Sequence, residues 1–434
     1  MLKRLWLKLK YSIWLKPAWM TLAALLLAVL SGLVDSGRWF RPATVVPPFL
    51  LTGVELAQTI LGVTSAALLT MTVFTFSTTM VVLTTYSSQY SPRVVKNFLT
   101  DDETVQTLGL FMAGFVYSIM ALSFMKTSLN GQPVISANLS ILLIMLCLIQ
   151  FLRYVNHVSA YIQVKNLIQR LQDQAGDCIR DYRDFLMQGN ISRQYIPPEG
   201  QRQLDVKAGK YGYIRLINYQ RLTRITKEAD CTIVLSKITG VFVTEETSLL
   251  TVYHDQEDFE DPSSRFRGCF TIGNEPLEDQ DFLFSVQKIN EITPRSISPG
   301  INDPNTAIHC LKMTGVLLSH LADLEHGWLL VRQDEHASAV DSPVVAAFEL
   351  IDFEKIIDQS FAQVVHYGRQ DRSVVLAVIK ALGIIMERAT YRNRQIIMVF
   401  IDYIWDKLPD DLKSGHDLRL LEQERAECLQ LLDR

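Results

Sequence analysis

The longest apolar segment of the chain covers residues 54–90 and carries regularly spaced polar side chains. About 20 helical residues cross the hydrocarbon core of a bilayer, so this segment is longer than a simple span requires. Polar residues recur at every seventh position of the segment: Gln58, Ser65, Thr72, Thr79 and Tyr86. Residues at this spacing share one face of a helix. A polar stripe inside a membrane faces either a neighbouring helix or water.

Three further apolar segments match membrane spans, at residues 18–34, 105–125 and 134–155. Lys and Arg residues are concentrated before the first span, between the second and third, and after the fourth. The positive-inside rule then predicts a multi-pass protein of the bacterial inner membrane with both termini in the cytoplasm. The first span has no clean cleavage site after it, so we expect it to be a retained helix, not a signal peptide.

Charge separates the membrane part from the remainder. Residues 1–165 carry 12 Lys and Arg against 5 Asp and Glu, a net +7, which leaves 30 basic against 41 acidic residues, a net −11, for the rest. An acidic soluble part argues against nucleic acid as a partner. The six cysteines show no metal-binding spacing and are expected to be reduced thiols.

These patterns predict an α-helical membrane domain of four transmembrane helices with a cytoplasmic α+β region. The expected parts are a basic amphipathic segment (1–17), the membrane domain (18–165), a stalk and linker (166–200), a small β module with one helix (201–278) and a helical domain (279–434). Within the last part, residues 342–366 have the pattern of a helix.

The second span suggests a pore. The predicted pore-lining residues are Gln58, Ser65, Thr72, Thr75 and Thr79. Glu55 would form an acidic outer mouth, and a hydrophobic constriction would consist of Leu69, Phe76 and Leu83. The alternative is structural, because Ser and Thr also pack membrane helices together and bond to their own backbone carbonyls. On that interpretation Glu55 is merely interfacial.

Residues 280–311 form the densest polar segment of the cytoplasmic part. One hypothesis brings five side chains together around an ion or a small ligand: Asp281, Arg295, Asn302, Asp303 and His309. The alternative is that Asp303 and Pro304 only start a helix, with the carboxylate capping free amides. Closer to the membrane surface, Arg93 and Lys96 are placed to contact lipid phosphates.

Three segments carry a family resemblance: TTYSSQYSPRVVKNFLTDD after the second span, GLFMAGFVYS in the third, and QDFLFSVQKINEITPRSISPGINDPNTA. Together they resemble bacterial membrane proteins grouped as domain of unknown function 2254, and the resemblance covers nearly the whole chain. That family favours an alanine-rich version of residues 293–296, from which Thr293, Pro294 and Ser296 depart. The resemblance implies location and architecture, and it carries no established activity.

The chain has no paired nucleophile and base, phosphate-binding loop, dinucleotide fingerprint or zinc spacing, so we expect a protein that is not an enzyme and has no cofactor or bound metal. The leading hypothesis is a homo-oligomeric ion channel whose partners are the lipid bilayer and an inorganic ion. A second is a membrane-anchored sensor or scaffold that binds a cytoplasmic ligand or protein at the SPGINDP segment (residues 298–304). A third is a hydrolase with a metal held by Asp281, Glu291 and Asp303.

Overall fold

The computed structural model describes residues 14–36, 47, 51–89, 101–125, 133–197, 199–257, 259–275, 281–333 and 343–432. The chain divides into two compact units, Met1–Asn166 and Leu167–Arg434.

The first unit contains four long helices: α1 (Leu15–Asp35), α2 (Val54–Gln89), α3 (Asp102–Phe124) and α4 (Ser136–Tyr161). All four are long and apolar enough to cross a membrane, which confirms the predicted membrane architecture. In α2 the apolar stretch alone extends over 32 residues. At 1.5 Å per residue, that stretch is roughly 48 Å long and exceeds the hydrocarbon thickness of about 30 Å.

Glycines allow the helices of this unit to pack closely. A Cβ atom on Gly109 of α3 would lie 2.8 Å from the Met20 sulfur and 3.1 Å from the Pro17 Cα of α1. A Cβ on Gly114 of α3 would lie 2.9 Å from a Leu68 methyl carbon of α2. Small residues at such contacts are typical of membrane helix interfaces, where close backbone approach supplies the packing energy.

A buried carboxylate joins two helices at one end of this bundle. Asp35 closes α1 and is only 4% exposed. Its side chain accepts hydrogen bonds from the backbone N–H groups of Ile135 (2.8 Å) and Ser136 (3.3 Å), at the start of α4. Thr52 and Val134 pair nearby as an isolated β-bridge. The last residue of α1 therefore caps α4, which begins about 100 residues later in the sequence.

Ion pairs lie at the opposite end of the bundle. Asp101 caps α3 through the Thr104 N–H (3.2 Å) and lies 2.8 Å from the Nε2 of His157 in α4. The next two residues contact other helices as well, because Asp102 pairs with Lys16 at 2.6 Å and Glu103 pairs with an Arg of α4 at 3.3 Å. These acidic groups also suit the positive end of the α3 dipole.

The second unit begins within α5 (Val164–Leu186) and mixes strands with helices. Its strands are β1 (Asn190–Ser192), β2 (Arg202–Lys207), β3 (Gly212–Ile217), β4 (Thr232–Leu235), β5 (Phe242–Val243), β6 (Ser248–His254), β7 (Phe270–Gly273), β8 (Trp328–Arg332) and β9 (Val344–Glu349). Its further helices are α6 (Tyr219–Glu228), α7 (Ser263–Arg267), α8 (Phe282–Ser296), α9 (Pro304–Ser319), α10 (Phe353–Gly368), α11 (Arg372–Met386), α12 (Tyr391–Lys407) and α13 (Gly415–Leu432).

The strands form two sheets. The larger has the order β1-β8-β9-β4-β6-β2, and the smaller has the order β5-β3-β7. Strands β4 and β9 pair in parallel with Ile233 opposite Ala346, whereas the neighbouring pairs are antiparallel. The larger sheet therefore takes strands from both sides of residue 278, where the sequence predicted that a β module ends and a helical domain begins.

One predicted helix of this unit differs from the structure. The helix predicted over 342–366 is wrong in its first part, because Val344–Glu349 is a buried strand. A short apolar run that is buried on both faces lacks the alternation of apolar and polar residues that distinguishes a strand from a helix. Helix α4 ends at Tyr161, and α5 follows it and buries the apolar residues of one side, whereas the division into a stalk and linker stays a prediction. In α5, Phe185 stacks on Tyr219 with ring centroids 4.1 Å apart.

Candidate functional site

The hydroxyl residues that the sequence singled out on α2 face the inside of the bundle. Ser65, Thr75 and Thr79 are 7%, 0% and 2% exposed. The hydroxyls of Thr79 and Tyr154 of α4 lie 2.9 Å apart, and the Tyr154 hydroxyl also donates to the backbone carbonyl of Thr75 at 3.2 Å. We call Ser65, Thr72, Thr75 and Thr79 the inner stripe. Thr75 and Thr79 join α2 to α4, whereas the Ser65 and Thr72 hydroxyls bond to carbonyls of α2 itself.

More hydroxyl contacts continue inside the bundle. Ser140 of α4 donates to the Thr64 hydroxyl of α2 at 3.2 Å and lies 2.9 Å from the Ser118 hydroxyl of α3. Three helices therefore meet at one small polar cluster.

A residue that lines a pore between subunits has to be exposed on the surface of each single subunit. Thr75 and Thr79 would reach such a pore only after the four helices separate, and the predicted pore-lining role of the inner stripe stays a prediction.

A second row of hydroxyls lies on the opposite, outward face of α2, and sequence analysis missed it. It consists of Thr59, Thr70, Ser77 and Thr84, all exposed, and we call it the outer stripe. Three of these hydroxyls donate to the carbonyl four residues earlier: Thr59 at 3.1 Å, Thr70 at 2.9 Å and Thr84 at 2.6 Å. The signal was present in the sequence, because residues 70, 77 and 84 also repeat every seven positions.

The remaining predicted residues of α2 differ in how far their side chains are exposed. Leu69 and Phe76 are 48% and 47% exposed, so two members of the predicted constriction lie on the surface, and Leu83 is half-buried. Glu55 is exposed in the first turn of α2, and Gln58 is half-buried. The predicted lipid contacts Arg93 and Lys96 lie outside the described residues.

The predicted ligand site of the cytoplasmic segment is split between the two ends of α8. Asp281 caps the first turn of α8, whereas Arg295 lies in its last turn. A helix of 15 residues separates them, which is roughly 22 Å at 1.5 Å per residue. The structure therefore does not bring Asp281 together with the SPGINDP segment.

Within that segment, Asp303 has the structural role of a helix cap. Its carboxylate accepts from the Thr306 N–H at 3.1 Å and from the Thr306 hydroxyl at 2.6 Å. Asn302 adopts a left-handed backbone with φ of 49°, and His309 is half-buried one turn into α9. In the described part of the chain, no group of three or more His, Cys, Asp or Glu residues could hold a metal ion. Glu291 lies between Asp281 and Asp303 along the chain and does not bridge them.

Asp281 instead lines a cavity of about 410 Å³ inside the second unit. The walls come from α5, the junction of β3 and α6, the loop after β4, and the start of α8. The aromatic lining residues are Tyr182, Phe185, Tyr219 and Phe282, and the polar ones include Asp181, Gln188, Asn218, Gln220 and Thr239. This volume is within the range of small-molecule sites.

The Asp281 carboxylate is the most unusual group in this cavity. It is 5% exposed and accepts a hydrogen bond from the Phe284 N–H at 3.0 Å. Burial raises its pKa, and the bonds from the α8 amides oppose that rise. Gly240 approaches it with a φ of 85°, and any Cβ there would collide with the carboxylate. Glycine thus permits both the backbone conformation and the contact.

Aromatic residues line the same cavity as this carboxylate. Tyr182 and Phe282 have ring centroids 5.6 Å apart, and the Tyr182 hydroxyl accepts from the Ile351 N–H at 3.4 Å. Burial raises the pKa of Tyr182 to about 12 and also raises the pKa of Tyr219. Both phenols are therefore neutral at neutral pH, and the charge on the cavity walls comes from carboxylates.

Helix α8 holds a further group that sequence analysis missed. Lys288 is 1% exposed, and its ammonium lies 5.0 Å from the centre of the Phe284 ring. Full burial of a lysine side chain is rare, so this position is unusual. The Ser285 hydroxyl, one turn earlier, is also buried and has no hydrogen-bond partner among the described residues. Nothing local in the sequence signals either burial.

Comparison with known proteins places the chain in a family. A family model described as predicted membrane protein (DUF2254) matches residues 10–383. An uncharacterized protein of Mycobacterium bovis is 22% identical over 400 residues, which cover 89% of this chain and 74% of the relative. An uncharacterized protein of Mycobacterium tuberculosis matches with the same values. No solved structure matches the chain. Because the family model covers most of the sequence, the chain belongs to the DUF2254 family of predicted membrane proteins.

Proposed function

We propose that this membrane protein resides in the bacterial inner membrane with its N-terminus, its central loop and its second unit in the cytoplasm. The distribution of basic residues supports this orientation, because Lys and Arg lie mainly before α1, between α2 and α3, and after α4. Fusion of a reporter that is active only in the cytoplasm tests it. Activity after residue 434 and inactivity in the loop between α1 and α2 are the expected outcomes.

We further propose that the protein forms homo-oligomers and conducts ions along the outer stripes of α2 helices that face a shared axis. The observation that carries this proposal is the row of exposed hydroxyls from Thr59 to Thr84. Lipid tails offer no partners to hydroxyl groups, so a purely lipid-facing helix gains nothing from such a row. Hydroxyls on an exposed membrane face are typical of a helix contact or a hydrated path.

Neighbouring residues supply the other parts of a conduction path. Glu55 lies at the predicted outer end of α2, where its carboxylate would favour cations. Leu69 and Phe76 are exposed about 100° around α2 from Thr70 and Ser77, where they would narrow the path from the side opposite Thr78. The excess length of α2 gives this path more turns than a minimal span has.

Conductance of the purified protein in planar bilayers tests the proposal. The double variant Thr70→Leu/Ser77→Leu replaces two adjacent hydroxyls of the outer stripe by bulky apolar groups. We expect a strongly reduced single-channel current. Thr78→Leu is the matched control, since Thr78 neighbours Ser77 but lies about 100° around the helix and bonds to the Phe74 carbonyl at 3.0 Å. Its current should equal that of the wild type.

Two results would exclude ion conduction along the outer stripe. The first is the absence of current from wild-type protein that is folded and inserted. The second is equal current from the double variant and the wild type. Cysteine substitution at Thr70 and Ser77 gives an independent readout, because a charged thiol reagent labels these positions only if water reaches them. Labelling at Thr78 serves as the comparison, since this residue lies about 100° around α2 from Ser77.

A second candidate function is a membrane-anchored sensor. The observation that favours it is the cavity in the second unit, with a nearly buried carboxylate in its wall. The SPGINDP segment gives this function less support, because the Asp303 oxygens are already engaged with Thr306. If the protein is such a sensor, its ligand binds beside Asp281, at the end of α8 that lies away from the SPGINDP segment.

A further inference from the structure

The walls of the Asp281 cavity are acidic and aromatic. Asp181 and Asp281 are its charged lining residues, and no Lys, Arg or His is among the described residues that line it. Four aromatic residues are also in the lining, with Phe185 stacked on Tyr219 and Tyr182 beside Phe282. An anion would meet two carboxylates and no positively charged lining side chain among the described residues, and the electrostatics therefore disfavour it.

We infer that this cavity binds a small organic ammonium ion. The carboxylate of Asp281 would pair with the cation, and the aromatic faces would cover its alkyl or aryl groups. Ring faces attract cations through their quadrupole, and recognition of ammonium groups by aromatic cages is a common use of this attraction. The inference rests on the second candidate function, the sensor, and is independent of ion conduction.

The geometry leaves Asp281 able to accept such a ligand. A carboxylate has about four acceptor positions, and bonds from the Phe284 and Leu283 N–H groups occupy two of them. A nearly buried carboxylate is costly without an opposite charge, and a cation removes that cost. The neutral tyrosines contribute ring faces without adding charge. A neutral molecule of the same shape would fill the cavity but leave the carboxylate unpaired.

Calorimetric titration of the full-length protein in detergent tests this specificity. The probes are choline chloride and phenethylammonium chloride, and 3,3-dimethylbutan-1-ol is the neutral isostere of choline. We expect at least one of the cations to bind and the isostere to bind about tenfold more weakly or not at all. Binding of neither cation overturns the inference. Equal affinity for choline and its isostere also overturns it.

Variants connect any binding to the cavity. Asp281→Asn keeps an oxygen that can cap α8, so folding is retained while the charge is lost, and we expect affinity to fall about tenfold or more. Asp181→Asn removes an exposed carboxylate at the same cavity and should weaken binding even if the first variant folds poorly. Asp184→Asn is the control, because Asp184 is exposed on the same helix outside the cavity. Unchanged affinity in both cavity variants contradicts the assignment.

The outcomes separate the site from the sensor function. Binding that is lost in Asp281→Asn but never alters the conductance or oligomeric state leaves the ammonium site in place and removes the sensor role. Failure of both cations to bind removes the site and leaves ion conduction untouched, since that proposal depends on the outer stripe alone.

Discussion

The interior of the first unit and the outer stripe both place polar groups within membrane-spanning helices, but they satisfy these groups differently. In the interior, Thr79 contacts Tyr154 and Asp35 accepts from the amides at the start of α4. On the outward face, Thr59 and Thr70 bond to carbonyls of their own helix. Several interior polar groups connect helices, whereas the hydrogen bonds of the outer stripe stay within α2 in the described part of the chain. Hydroxyl density alone therefore does not reveal which face serves packing.

This difference predicts a gradient of stability effects. A substitution in the interior leaves a partner on another helix unsatisfied, and that partner has no water to replace the lost bond. A substitution in the outer stripe removes a hydroxyl whose bond was local, so the rest of the unit is unaffected. Each prediction below is measured as the free energy of unfolding in mixed micelles containing increasing amounts of dodecyl sulfate.

The largest effect is expected for Asp35→Leu. This change leaves the Ile135 and Ser136 amides without their acceptor in a buried position, at a cost of about 3 kcal/mol. Asp35→Asn keeps one side-chain oxygen and should lose about half as much. Equal stability of the Leu variant and the wild type would show that the carboxylate does not hold α1 to α4.

A somewhat smaller loss is expected for Gly109→Leu, which tests packing without polar groups. The new side chain meets the Pro17 backbone 3.1 Å from its Cβ, so α1 and α3 must move apart, at a cost of about 2 kcal/mol. Gly62→Leu is the control, because a Cβ at Gly62 of α2 has open space around it. A similar loss in both variants would point to helix propensity or to the membrane, and not to the α1–α3 contact.

Tyr154→Phe tests a single cross-helix contact of the interior. The variant loses the hydroxyl that meets Thr79 and the Thr75 carbonyl, while the ring and its packing remain. Hydrogen bonds between membrane helices average about 0.6 kcal/mol, and we expect a loss of that size. Thr79→Val should give a similar loss, and the double variant should lose less than the sum, since both remove the same contact.

The sequence was sufficient for the membrane architecture because long apolar runs have a strong length signal. It also identified Asp303 as a helix start, since the Asp-Pro pair has a specific capping geometry. It failed at β9, whose small and apolar residues 344–348 fit a helix equally well. The parallel pairing of β4 with β9 joins residues more than 100 positions apart, and no local pattern encodes such a partner.

The candidate sites show the same limit. The seven-residue repeat found the inner stripe, yet periodicity reports only which residues share a face and not what that face meets. Whether Thr79 or Thr70 points outward depends on where α3 and α4 pack. The cavity could not be predicted from local sequence patterns, because Tyr182, Tyr219 and Asp281 come from three separate elements. Asp281 was singled out for its polarity but grouped with residues at the far end of α8.

The smallest stability effect is expected for Thr70→Val/Thr84→Val in the outer stripe. Both hydroxyls bond only to carbonyls of α2, so the free energy of unfolding should stay within about 0.5 kcal/mol of the wild type. The oligomer is the informative readout here. If outer stripes face one another, this variant shifts the detergent-solubilised protein toward smaller assemblies, whereas Tyr154→Phe lowers stability and leaves the assembly unchanged. The reverse pattern would mean that the interior, not the outer stripe, controls how subunits meet.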